Sequence, residues 1–157
     1  KKKRDSSVIA DNREARYRYE FTDTLECGIV LVGTEVKSAR KGQMNIKDSY
    51  CKVDRKGQLK LYNCHIAKHD TTGIFFQHEE SRPRTLLAKK TEIQKLAKAQ
   101  EIKGMTLVPS KAYFTESGLL KCEIAVCKGK NTADKRDDIK KRDTKRDTRR
   151  ELKSAGY

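Results

Sequence analysis

The sequence predicts a mainly β domain: a small closed antiparallel barrel of about six strands, two or three flanking helices, and a disordered basic C-terminal tail. Leu120, Cys122, Ile124 and Val126 recur with a period of two, the mark of a strand with one buried face. Two short glycine-containing segments, Asp54-Arg55-Lys56-Gly57 and Glu116-Ser117-Gly118, separate pairs of strand-like runs and read as hairpin loops. Strands joined this way lie beside their predecessors, and closing the sheet on itself removes the exposed edges that an open stack of hairpins leaves.

In chain order, residues 1–11 are polar and basic without periodicity and read as a disordered arm. Residues 12–16 suit a helical turn, after which Tyr17, Tyr19 and Phe21 alternate with Arg18 and Glu20 as in a half-buried strand. Arg13, Arg16 and Arg18 beside these rings would suit RNA, where bases stack on aromatics and cations hold phosphates. Alternating rings are, however, more often core. The apolar run at residues 29–32, bounded by Gly28 and Gly33, is expected to be a strand buried on both faces. Thr34 then serves as N-cap of a short helix, with Glu35 as its first-turn anion, Lys37, Arg40 and Lys41 at its basic end, and Gly42 closing it.

Residues 48–53 and 58–62 flank the first hairpin loop. Residues 63–85 show no clean period and are long for a loop, a length that usually signals function or disorder. At residues 89–103 the positions Ile93, Leu96, Ala97 and Ile102 approximate helical spacing, with Gly104 as the stop. Residues 106–114 and 119–127 flank the second hairpin loop, and Pro109 puts an edge or a bulge in the first of them.

With 157 residues and a formal net charge of +15, the chain is one domain by length and its expected partner is a polyanion. Nucleic acid leads that class. Residues 1–18 carry a net charge of +4 and residues 130–157 a net charge of +5, so the ends read as arms that reach along a phosphate backbone. The large aliphatic residues of the tail are Ile139 and Leu152, too few to fold it alone. Wound as an α-helix, it would place Lys135, Arg142, Arg146, Arg149 and Lys153 on one stripe, with Asp137, Asp143, Asp147 and Glu151 off it.

Five cysteines, an odd number without dense, even spacing, point to a reducing compartment. No apolar run approaches the length of a membrane span. Cys51, Cys64, His65 and His69 superficially echo zinc-ligand spacing, but no C-x2-C pair accompanies them, so no metal is expected. Pairing one of these cysteines with a histidine for catalysis is equally weak, and no phosphate-binding glycine loop is present. The expectation is a protein with no catalytic residue and no cofactor.

Cys27-Gly28-Ile29-Val30-Leu31-Val32-Gly33-Thr34-Glu35-Val36-Lys37-Ser38 closely resembles the signature of the SmpB family, the SsrA-binding proteins that partner transfer-messenger RNA (tmRNA) in bacterial ribosome rescue. The resemblance extends through residues 12–19 and 45–50, Tyr62-Asn63-Cys64-His65-Ile66, Arg82-Pro83-Arg84-Thr85-Leu86-Leu87, Glu92-Ile93, residues 106–113, and Lys128-Gly129-Lys130 with Asp134-Lys135-Arg136. It covers nearly the whole chain. It implies an OB-like barrel over residues 12–129 and a tail over residues 130–157 that is disordered when free and helical on the ribosome. The implied function is an RNA-binding adaptor of trans-translation, which holds the tRNA-like domain of tmRNA and delivers it to stalled ribosomes for rescue and peptide tagging. Asn12, Arg16, Tyr19, Leu87 and Lys89 would lie on the RNA-facing side, and Glu26 would be a carboxylate in contact with the RNA. Lys128, Lys130, Asp134, Lys135 and Arg136 would belong to the part that meets the decoding centre and mRNA channel of the small ribosomal subunit. Two residues depart from the family pattern: Ala133 stands where a histidine or aromatic is usual, and Glu14 where a basic residue is common.

The expected setting is a monomer in a bacterial-type cytoplasm, or in a plastid stroma if a transit peptide preceded Lys1. Two other readings stay open from the residues alone: a generic OB-type RNA-binding or ribosomal protein, and a nuclease or deaminase built on the Cys/His residues.

Overall fold

In the computed structural model, which describes residues 8–69, 73, 75, 77–130 and 132–156, nine strands and four helices follow one another. They are β1 (Val8–Asp11), α1 (Arg13–Arg18), β2 (Tyr19–Ile29), α2 (Gly33–Arg40), β3 (Met44–Asn45), β4 (Tyr50–Val53), β5 (Leu59–Tyr62), β6 (His65–Ile66), β7 (Arg84–Leu87), α3 (Lys90–Glu101), β8 (Met105–Phe114), β9 (Leu120–Gly129) and α4 (Thr132–Ser154). Six strands close a ring in the order β8, β4, β5, β7, β2, β9 and back to β8. Every pairing in it is antiparallel. The expected mainly β, OB-like closure is therefore present, and β3 and β6 form a separate two-stranded ladder.

The ring works because its strands alternate. Cys122 and Ile124 of β9 are fully buried while Lys121 and Glu123, which precede each of them, are only half-buried. Leu59, Leu61, Leu86, Leu107 and Cys27 join them inside, with Cys64 and Ile66. Both hairpins form as expected. Asp54 accepts hydrogen bonds from the amides of Lys56 (3.0 Å) and Gln58 (2.9 Å), and Gly57 takes φ +76°, which a side chain would strain. Pro109 sits at a register shift between β8 and β9, because its ring removes a ladder donor.

Several expectations are corrected. The disordered arm of residues 1–11 contains a strand. β4 pairs with β8 only at Cys51 opposite Leu107, which leaves the far half of that edge open, and β1 takes it, with Asp11 opposite Lys111 and Ala10 opposite Ala112. Residues 1–7 lie outside the described residues. The strand expected at residues 29–32 is instead Tyr19–Ile29, and Val30 and Val32 are 44% and 46% exposed while Ile29 and Leu31 pack on the core. Residues 30–32 lie past the end of β2, and among the described residues no element packs over Val30 and Val32 as α1 packs over Val108 and Cys127 on the outer face of β8 and β9.

Thr34 does not cap α2. Helix α2 begins after Val32, whose amide donates to Glu35 Oε2 at 3.0 Å, and the Thr34 hydroxyl instead donates to His78 Nδ1 at 2.8 Å, since Nε2–H of that ring donates to the Ile66 carbonyl at 2.9 Å. Tyr17 belongs to α1 rather than to the strand. The tail, expected to be disordered when free and helical on the ribosome, is here a helix from Thr132 to Ser154. Between those bounds it has no glycine or proline, and alanine, lysine, arginine and glutamate fill much of it, so backbone propensity favours the helix without a packing face.

Residues 63–85, expected as a loop, hold β6 and lead into β7 through a buried ionic centre. Glu35 is fully enclosed and accepts from Arg82 Nε (2.8 Å) and Nη2 (2.7 Å) and from Arg84 Nε (3.0 Å). Arg84, itself fully buried, also donates to the backbone carbonyls of Glu80 (3.0 Å) and Cys64. Burial alone would push the Glu35 carboxyl up, but the hydrogen bonds from Arg82 and from the Val32 amide, with the charges of Arg84 and Arg82, hold it below its ordinary range.

Candidate nucleic-acid interface

The seven body residues expected to face RNA fall into two groups at opposite ends of β2. Seven residues separate Tyr19 from Glu26, so the two ends lie roughly 20 Å apart along the strand.

At the first end, Asn12 is buried. Its side-chain oxygen accepts the Ala15 amide at 3.1 Å and its Nδ2 donates to the carbonyls of Ile46 (3.2 Å) and Pro109 (3.1 Å). With its amide group fully engaged inside the protein, Asn12 caps α1 and ties it to β8, which corrects the expectation that it faces RNA. Arg13 and Arg16, by contrast, are exposed and share Asp11 at 3.4 and 3.1 Å. Tyr19 and Phe21 pack against Ala15, Val108 and Cys127, so these rings are mostly satellite core, as alternating aromatics usually are. β9 ends here too: Gly129 pairs with Tyr19, Lys128 with Glu20, and Lys130 Nζ donates to the Arg16 carbonyl at 3.3 Å. Helix α4 therefore leaves the body beside α1.

At the second end, register sets the geometry. Leu87 of β7, Gly28 of β2, Lys121 of β9 and Tyr113 of β8 are successive cross-strand partners on the outer surface of the ring. Glu26 lies two residues before Gly28 and so shares that face. Its carboxylate, half exposed, accepts from the Tyr113 hydroxyl and from Lys121 Nζ at 2.7 Å. The two donors orient the carboxylate and leave it able to accept further hydrogen bonds from a ribose hydroxyl or a base edge. Leu87 is 59% exposed beside it, and a methyl group at Gly28 would lie in ordinary contact with the Leu87 side chain at 3.5 Å. Lys89 is exposed at the start of α3, where its amide donates to Glu92 Oε2 at 3.0 Å.

Tyr113 and Lys121 escaped the sequence reading. Their outward phase was legible in the period of two, but their meeting with a glutamate some 90 residues earlier depends on ring register. On α4, Arg136, Arg142, Arg146, Arg149 and Lys153 are exposed. Asp134 and Lys135 lie in the same helix.

The Cys/His residues whose spacing echoed a zinc site do not come together. Cys51 and Cys64 point into the core, His65 faces outward to Glu80 at 3.1 Å, and among the described residues no group of histidine, cysteine and acid could hold a metal. Burial pushes the thiol of Cys27 up to about 12 and those of Cys64 and Cys127 to about 11, which suits inert core residues and not nucleophiles. Among the described residues no helix is long and apolar enough to cross a membrane.

The family model described as "SmpB protein" matches residues 9–154. An SsrA-binding protein of Moorella thermoacetica is 49% identical over 150 residues, 96% of each chain. One from Prochlorococcus marinus is 47% identical over 158 residues, 98% of this chain and 94% of that one. A solved structure described as "tmRNA-SmpB: a journey to the center of the bacterial ribosome" superposes with a TM-score of 0.67 at 40% identity, covering 80% of this chain and 85% of that chain. A match of this length at this identity makes the chain a member of the SmpB family.

Proposed function

We propose that this chain is an RNA-binding adaptor of trans-translation. It binds the tRNA-like domain of tmRNA, the SsrA RNA, and delivers it to stalled ribosomes for rescue and peptide tagging. The observation that carries this reading is the near full-length likeness to SsrA-binding proteins, in a fold that matches a solved chain named with tmRNA and the ribosome.

The geometry supports a division of labour. Glu26, held by Tyr113 and Lys121 beside exposed Leu87 and Lys89, offers a shaped acceptor to folded RNA. Arg13 and Arg16 supply phosphate contacts at the other end of β2. Helix α4 carries Arg142, Arg146, Arg149 and Lys153 into the mRNA channel of the small subunit, with Lys128, Lys130, Asp134, Lys135 and Arg136 at its base. The protein acts by binding, as a monomer in a bacterial-type cytoplasm, and performs no chemistry of its own.

Sequencing the RNA that copurifies with the protein tests this reading. One dominant structured RNA with a tRNA-like end is the expected result. Bulk ribosomal RNA would replace the adaptor with a generic RNA-binding protein, and degraded RNA with stoichiometric zinc would replace it with an enzyme.

A further inference from the structure

On α4 one tetrapeptide occurs twice in succession, as Lys141-Arg142-Asp143-Thr144 and Lys145-Arg146-Asp147-Thr148. Each copy sets a threonine behind a basic pair, with one acid between. Both threonines are exposed. Their hydroxyls donate to backbone carbonyls one turn back, Thr144 to Lys140 and Thr148 to Thr144, each at 2.9 Å. Such back-bonding slightly destabilises a helix, and threonine is a poorer helix former than the lysine and arginine beside it. The repeated threonines therefore serve neither the helix nor the core.

At 3.6 residues per turn the two threonines share one side of α4, away from the stripe of Arg142, Arg146, Arg149 and Lys153. They are reachable whether or not that stripe is occupied. Every described side chain of α4 is exposed, so drawing this segment out as an extended strand disturbs no packing. An enzyme groove lined with carboxylates would hold the basic pair of each repeat by charge-assisted hydrogen bonds and present the hydroxyl that follows.

We propose that Thr144 and Thr148 form a tandem phosphorylation site for a protein kinase with an acidic peptide groove, and that modification releases the tail from polyanions. Each threonine Oγ attacks the γ-phosphorus of a nucleoside triphosphate, an O–P bond forms as the bond to the β-phosphate oxygen breaks, and the hydroxyl proton passes to the kinase's base. Residues 130–157 carry a net charge of +5, and two phosphates of about −1.5 to −2 each would bring this to roughly +1 to +2. The new charges would stand one turn from each other and from Asp147 and Glu151, where like charges weaken the helix. They would also lie across the helix from the stripe, within about a Debye length of any RNA bound to it. That the released polyanion is ribosomal RNA rests on the adaptor reading.

The test begins with the full chain isolated from its native cells under phosphatase inhibitors, its phosphates mapped by peptide mass spectrometry. Phosphate on Thr144, Thr148 or both is expected in part of the population. Phosphate on neither, or on Ser154 in their place, overturns the proposal. In a second arm the unmodified full chain meets ATP and a kinase selective for a basic pair before threonine. Transfer to both threonines is expected, Thr144→Val with Thr148→Val abolishes it, and Lys141→Gln with Lys145→Gln slows it about tenfold. An unchanged rate without the two lysines would deny that the repeat is what the kinase reads.

The third arm titrates vacant small ribosomal subunits over a range of salt concentrations. The phosphorylated chain is expected to bind at least about tenfold more weakly, with a slope of log K against log salt flatter by about 0.7 to 1.4, the share of one or two phosphate contacts. Its affinity for the tRNA-like domain of tmRNA should not change. Unchanged binding to the subunits overturns the release, as does an equal loss in Thr144→Val with Thr148→Val after the same kinase treatment. The first two arms need no RNA, so their results stand even if the adaptor reading fails. Loss of tRNA-like domain binding by the unmodified chain would count against that reading and not against the phosphorylation site.

Discussion

In the ring, the Glu35 carboxylate is fully enclosed and meets two guanidinium groups and an amide, while on α4 every described side chain is exposed, nine cations and four acids among them standing in solvent. The same residue types do opposite work. A charge taken out of water must be paired with good geometry or it unfolds the protein, so the ring uses charge to fix one arrangement. A charge left in water contributes little to stability and stays available for a partner, and that is the state of the charges on α4. The Glu26 face lies between these limits, with a half-exposed carboxylate held by two donors and still open on one side.

The strongest way to break this contrast is to remove one partner of the enclosed set. Arg84→Ala should cost about 3 to 5 kcal/mol, because Glu35 would remain buried with half its cations gone. Chemical denaturation measures it, and a loss below about 1 kcal/mol would move Arg84 to the solvated class. Glu35 also carries a pH signature. Its folded pKa lies below its unfolded one, so its contribution is fully present above the unfolded carboxylate range near 4.3 and is lost as pH falls through the lower folded value. Acid unfolding curves of the native chain and of Glu35→Gln should therefore converge at low pH.

Glu26→Ala should weaken binding to the tRNA-like domain by about 1.5 to 3 kcal/mol, the worth of a charged hydrogen bond, while thermal unfolding hardly moves. A gel-shift titration with unchanged affinity would remove Glu26 from the interface and leave it bridging Tyr113 and Lys121.

On the tail, Arg142→Glu with Arg149→Glu should change the body's stability by less than about 0.5 kcal/mol yet abolish peptide tagging on stalled ribosomes. Lys140→Glu with Lys141→Glu alters net charge equally but lies off the stripe, and tagging should persist. Equal loss in both double mutants would make the tail a diffuse polycation and its helical stripe an accident of phase.

The smallest effect is expected at the cysteines, all of which lie in the body. With Cys27 pushed up to about 12 by burial, iodoacetamide at pH 8 should label none of the five until denaturant is added. Rapid labelling of a native thiol would show a gap in the ring.

What the sequence determined by itself is what local chemistry decides. The alternation of β9, the Asp54 and Gly118 turns and the amphipathic α3 each need only neighbours within a few residues, and each was legible. β1 was not, because four residues, Val8–Asp11, at the end of a basic arm become a strand only when another strand offers them an open edge. β7 was hidden because Arg82-Pro83-Arg84 reads as polar loop. Only the fold supplies the buried Glu35, 49 residues from Arg84, that makes an arginine a core residue.

The Glu26 surface divides in the same way. Residue type and the family resemblance pointed to Glu26, Leu87 and Lys89, but Tyr113 and Lys121 join them through pairings across 87 and 95 residues, and Asn12 leaves them by turning inward to cap α1. Those arrangements follow from ring register. A slip of one residue would turn Cys122, Ile124 and Leu107 outward and Lys121 and Tyr113 inward, and that cost, not any local preference, selects the register.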